Sequence, residues 1–127
     1  MSAAERALEA EIQAKGLNAP RITPDMVDAA ILTEQYHVFP GTTTTVCCLT
    51  MYNGFTVVGH SACASPENFD EEIGRRIARE EARRQIWALE GYALRHVLFA
   101  EQLSKRFGAE DAVDQLRAGY AAAADGA

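Results

Sequence analysis

The spacing of hydrophobic and polar positions switches from a helical period to a strand period and back again, and each switch marks a new element. Residues 3–14 put Ala7, Leu8 and Ile12 on one side and Glu5, Glu9 and Glu11 elsewhere, which predicts a short amphipathic helix stopped by Gly16. Thr23-Pro24-Asp25 then offers an N-cap, a proline at the first helical position and an acid for the positive helix end. A second short helix is predicted over Pro24 to Leu32, with Met26, Val27, Ala30 and Ile31 as its apolar stripe.

The strand period begins with Glu34 to Phe39, which Pro40-Gly41 ends, and continues through the β-branched run Thr42 to Tyr52. Asn53-Gly54 follows, the dipeptide favoured by a two-residue type I′ hairpin turn. The next strand is predicted from Phe55 to about Cys63. A two-residue loop would pair Tyr52 with Phe55, Thr50 with Val57, Cys48 with Gly59 and Val46 with Ser61. The opposite face would pair Met51 with Thr56, Leu49 with Val58, Cys47 with His60 and Thr45 with Ala62. Both faces would then be largely apolar, and a chain this short has one long helix to cover them. The second face is therefore expected to join copies of the chain into a homo-oligomer.

The segment Ala64 to Phe69 reads as the start of a long helix, with Ser65 or Asn68 as N-cap and Glu67, Asp70 and Glu71 suited to its positive end. Phe69, Ile73, Ile77, Trp87, Gly91, Leu94 and Leu98 fall on one helical stripe, the expected core face. Phe107-Gly108 marks the end. The expected fold is α+β: short N-terminal helices, an antiparallel hairpin or three-stranded sheet, and a long C-terminal helix packed on one face. Residues 1–108 form the single expected domain, and the Ala-rich tail 109–127 is expected to be weakly helical or disordered.

Composition narrows the functional classes. The chain has 127 residues and 48% hydrophobic content, enough for one core and too little for two independent domains. A formal net charge of -6 opposes a role in coating nucleic acid or anionic membranes. No apolar run reaches the length of a membrane span, and the charged N-terminus lacks a signal peptide's apolar centre. A cytosolic location is expected. Cys47, Cys48 and Cys63 have neither CxxC nor zinc-type spacing, so they read as reduced packing residues.

Three constellations could carry chemistry. Arg75, Arg76, Arg79 and Arg83 form one stripe beside the apolar face, where guanidinium forks could hold phosphates with help from Ser65 and Asn68 at the helix start. A solvated face with Glu72 and Glu80 as partners is the alternative. Tyr36, His37 and Phe39, with the run Thr42 to Thr45, could gather rings and hydroxyls at one sheet end, Tyr36, Phe39 and Thr43 stacking a base and binding its phosphate. Strand-end core packing is the plainer reading. Glu80 and Arg84 lie inside the apolar stripe and are expected to pair with each other.

Cys47 facing His60 suggests a thiolate and imidazole, yet no third member or oxyanion loop accompanies them, so no catalytic residue is assigned. Two ligands also fall short of a metal site, and no cofactor is expected. The main nucleotide-hydrolase, dinucleotide-fold, metalloprotease and serine-hydrolase motifs do not occur.

The residues YHVFPGTTTTVCCLTMYNGFTVVGHSACASPENFDEEIGRRIAREEARRQIWALEGYALR resemble a family of small tailed-phage proteins, the phage gene 49/gene 66 family. Its resemblance covers Val27 to Leu98 and is most specific at FPGTT, NGFTVVG, SACASPENF, IGRRIAREEA and the IW-LEGY segment. The resemblance implies a phage accessory protein made in the host bacterial cytoplasm, with no assigned activity or catalytic residues. Such genes commonly counter host defence, and an oligomeric sponge for cyclic nucleotide signals is similar in size and style. The leading expectation is thus a non-enzymatic oligomer that captures a small anionic nucleotide. An inhibitor of a host protein that needs no small ligand is the alternative, and nucleic-acid binding a weaker one.

Overall fold

The computed structural model describes the backbone of residues 1–126 and the side chains of residues 1–119. The chain is α+β. Helices α1 (Ala3–Ala14) and α2 (Pro24–Ala29) precede strands β1 (Ile31–Val38), β2 (Thr45–Met51) and β3 (Thr56–Ser61), and a 3-10 turn, Pro66–Asn68, leads into α3 (Glu71–Phe107) and α4 (Ala109–Gly126). The chain divides into two compact units, Met1–Glu90 and Gly91–Ala127. The first holds the sheet and the core.

Local chemistry places the first elements where the sequence predicts. Ser2 Oγ accepts from the Glu5 amide and Thr23 Oγ1 from the Met26 amide, so both short helices carry side-chain N-caps. Gly16 adopts φ 66° beyond α1. Helix α2 stops three residues earlier than expected, because Ile31 already pairs with Met51. Strand β1 thus runs Ile31–Val38 rather than Glu34 to Phe39.

The sheet is antiparallel in the order β1-β2-β3. The expected hairpin register is off by one. Thr45 pairs with Ser61, Cys47 with Gly59 and Leu49 with Val57. Only Gly54 takes positive φ, 88°, while Asn53 stays negative, so the two-residue type I′ loop does not form. Instead the Gly54 amide donates to Met51 O and the Met51 amide to Phe55 O, a three-residue loop with a glycine bulge. Two further bonds hold it: the Tyr52 amide donates to Ala30 O and the Phe55 amide to Asn53 Oδ1.

This slip exchanges the faces of β3 relative to β2. The covered face carries Thr45, Cys47, Leu49, Met51, Val57 and Gly59, all buried. The other face carries Thr33, Gln35 and His37 from β1, Val46, Cys48 and Thr50 from β2, and Thr56, Val58 and His60 from β3. It is a polar surface around three apolar side chains, not the second apolar face expected.

Helix α3 meets the sheet through small residues. Ala78 and Ala82 are fully buried with Ile86, whereas Ile73 and Ile77 are about half exposed, at 47% and 52%. Ile73 and Ile77 of the expected stripe therefore turn largely outward, while Phe69 is partly buried and Trp87 packs against the core. A Cβ on Gly59 would overlap the Ala78 carbonyl oxygen and the Ala82 amide nitrogen, and one on Gly74 would stand 2.8 Å from Thr45 Oγ1. Glycine and alanine let the two backbones approach, and bulkier residues at these points would hold them apart. Val27, Ala30, Cys47, Leu49, Met51, Val57 and Ile86 fill the space around this crossing. Burying Leu49 or Ile86 contributes about 2 kcal/mol each.

Candidate functional site

The arginine stripe of α3 resolves into members with different fates. Arg83 is 6% exposed and fully engaged. Its Nε donates to Asp28 Oδ1 at 2.8 Å, and its Nη1 and Nη2 donate to the two Glu5 oxygens at 3.0 Å each. This guanidinium holds both carboxyls below their usual range, and they in turn raise its own pKa. Arg79 Nε donates to Glu34 Oε2 at 2.9 Å, which lowers the Glu34 pKa in the same way. Both side chains serve the fold by joining α3 to α1, α2 and β1.

Arg75 and Arg76 are different. Arg75 is exposed and bonds only to Glu71 one turn back, at 2.9 Å, a surface pair of the kind that contributes little. Its guanidinium carbon lies 5.6 Å over the centre of the Tyr36 ring. Arg76 is exposed and has no carboxylate partner among the described residues. Glu80 and Arg84 do not form the expected pair. Both are exposed on the outward side of α3, where they line a groove of about 330 Å³ with Leu8 and Trp87.

The helix start departs from expectation in its cap. Ser65 precedes the 3-10 turn and its side chain makes no capping bond. Asp70 caps α3 instead, its Oδ1 accepting from the Ile73 amide at 2.9 Å. Asn68 lines a small cavity of about 70 Å³ together with Thr43, Ser61, Asp70 and Gly74. Thr43 also borders an open cavity of about 420 Å³, with Thr42, Thr44, Cys63 and Pro66. The Thr43 hydroxyl is already used as a donor to Cys63 O at 2.7 Å.

Tyr36 is half-buried, and its hydroxyl donates to Glu34 Oε1 at 3.1 Å. Burial pushes its pKa up to about 12, so the ring stays neutral. Phe39 stands apart, edge-on to His37 at 4.9 Å between ring centres. Cys47 and His60 do not face each other. Cys47 pairs with Tyr36 and Gly59 on the covered face, where burial raises its thiol pKa. His60 lies on the open face and its Nδ1 is 3.1 Å from Glu81 Oε1. The register slip thus removes the proposed thiolate and imidazole pair. Cys48 and Cys63 are free thiols like Cys47.

Of the residues expected to form one site, the structure groups Arg75, Arg79 and Tyr36 at β1, and Thr43 with Asn68 at the sheet end; Arg83 and Phe39 belong to neither. The partners Glu5, Asp28 and Glu34 were not foreseen. They lie far from the arginines in sequence, and no local pattern connects them. Among the described residues no cluster of three or more His, Cys, Asp or Glu could hold a metal, and no helix is long and apolar enough to cross a membrane.

The model of the phage protein (N4 Gp49/phage Sf6 gene 66) family matches residues 22–98, from the approach to α2 through the sheet and most of α3. This chain belongs to that family. The match covers more than half of the chain and confirms the likeness seen in FPGTT, NGFTVVG and IGRRIAREEA. No curated protein and no solved structure matches. Membership makes it a phage accessory protein; α1 and α4 fall outside the matched residues.

Proposed function

We propose that this phage protein is a non-enzymatic, oligomeric binding protein of the host bacterial cytoplasm that captures a small anionic nucleotide signal and so counters host defence. The observation that carries this reading is the state of Arg75 and Arg76. They are consecutive, exposed arginines near the start of α3, and only Arg75 has a carboxylate, in an exchangeable surface pair. The Glu71 carboxylate holds Arg75 through one bond, whereas two oxygens of a tetrahedral phosphate can accept from the guanidinium fork together. Arg75 stacked on Tyr36 adds a flat cationic surface on which a base can lie. Arg79 and Arg83 leave the ligand set and become supports, since each is held by internal carboxylates.

Self-association is proposed through the open sheet face, where Val46, Cys48 and Val58 sit among threonine, glutamine and histidine side chains. Calorimetry with a panel of cyclic di- and trinucleotides tests ligand capture. Heat with at least one of them at low micromolar concentration is expected, and none from a folded oligomer would sink the reading. A second reading, inhibition of a host protein without a small ligand, is favoured by one specific feature. Ile73 and Ile77 form an outward apolar row on α3. Retention of a host protein that survives reversal of both Arg75 and Arg76 but fails in Ile73→Glu would select it.

A further inference from the structure

Helix α1 is tied to the rest of its unit in an unusual way. None of its residues is buried, and none belongs to the hydrophobic core or to the apolar side chains packed against it. Leu8 is 55% exposed and Ile12 only partly buried. The helix's specific ties are ionic. Glu5 receives two bonds from Arg83, and Glu9 receives two from Arg21, at 2.7 and 2.6 Å. Hydrophobic docking does not weaken with ionic strength; these partly buried pairs, 7% and 19% exposed at Arg83 and Glu5 and 28% and 15% at Arg21 and Glu9, are screened less than surface pairs and yield only at high salt.

Arg83 is built so that this contact can open. Its Nε and Nη2 also bond to Asp28, so losing Glu5 leaves the guanidinium with one carboxylate and no bare buried charge. The released fork would face the side of α3 that carries Glu80, Arg84 and Trp87. We infer that α1 is a charge-latched strap over Arg83, docked through Glu5 and Glu9 and released by ions that compete for the two arginines. This strap is separate from the Arg75 and Arg76 surface, so its failure leaves the ligand reading standing and the reverse is equally true.

Amide hydrogen exchange on the full chain reads the strap directly, and Trp87, the single tryptophan, gives an optical signal beside Leu8. Raising sodium chloride from low to molar concentration should speed exchange across α1 by about tenfold or more, with β2 and β3 unchanged. Trp87 emission should shift in the same salt range. Glu5→Gln and, independently, Glu9→Gln should show at low salt the exchange that the parent shows only at high salt. Salt-independent protection of α1, or loss of protection in α1 and the sheet together, would overturn the inference.

Discussion

A methyl group on Gly59 would run into the backbone of α3 at Ala78 and Ala82, and neither backbone atom can turn aside as a side chain could. Gly59→Ala should therefore cost about 3 kcal/mol or more, at the upper end of overpacking effects, and lower the denaturant midpoint without a change in slope. Thr45 provides the contrasting case. It is fully buried and its Oγ1 has no hydrogen-bond partner among the described residues, which costs free energy with no compensation. Thr45→Val keeps the shape and removes that atom, so equilibrium unfolding should find it neutral or more stable by about 1 kcal/mol. The small residues explain why the core face of α3 was misread from sequence. Ile73 and Ile77 are the larger hydrophobes, but Gly74, Ala78 and Ala82 sit at the same four-residue spacing and allow closer approach. Pairing that spacing with the strand glycine, Gly59, was the available signal.

At the scale of elements, caps and turns written in contiguous residues were legible. Thr23 and Gly16 act as their positions predict, and Ser2 caps α1 as well. The hairpin was legible too, but not its register, because Asn53-Gly54 supports both a two-residue loop and a bulged three-residue loop. The bonds from Tyr52 to Ala30 and from Phe55 to Asn53 favour the second, and Ala30 is far off in sequence. The ion pairs between elements were invisible for the same reason. They give the fold a definite acid response. Glu5, Asp28 and Glu34 have lowered pKa values, first through hydrogen bonds from Arg83 or Arg79. A carboxylate lowered on folding stabilises the fold above its unfolded pKa, and this contribution is lost as pH falls through the folded value. Stability should hold from pH 7 to about 5 and decline below about pH 4.5, where unfolded carboxyls begin to take up protons. Glu34→Gln should flatten that decline in denaturant titrations across pH.

For the whole molecule, the fold class and family were readable from sequence, while the site was readable only in part. The arginines were correctly placed on one side of α3, but their internal partners decide which remain available, and those partners come from three other elements. The open sheet face bears on assembly. Val58, 52% exposed on the edge strand β3, would meet a neighbouring copy in the proposed oligomer, so light scattering should find the parent oligomeric and Val58→Glu monomeric with an unchanged circular dichroism spectrum. Ligand capture by Arg75 and Arg76 is the central claim, and titrating the cyclic nucleotide panel into parent and Arg75→Glu/Arg76→Glu protein by calorimetry tests it most directly. The account predicts binding to the parent and a loss of at least a hundredfold in affinity in the double variant with the oligomer intact, a loss of about 2.7 kcal/mol or more. Equal binding by both proteins would contradict it.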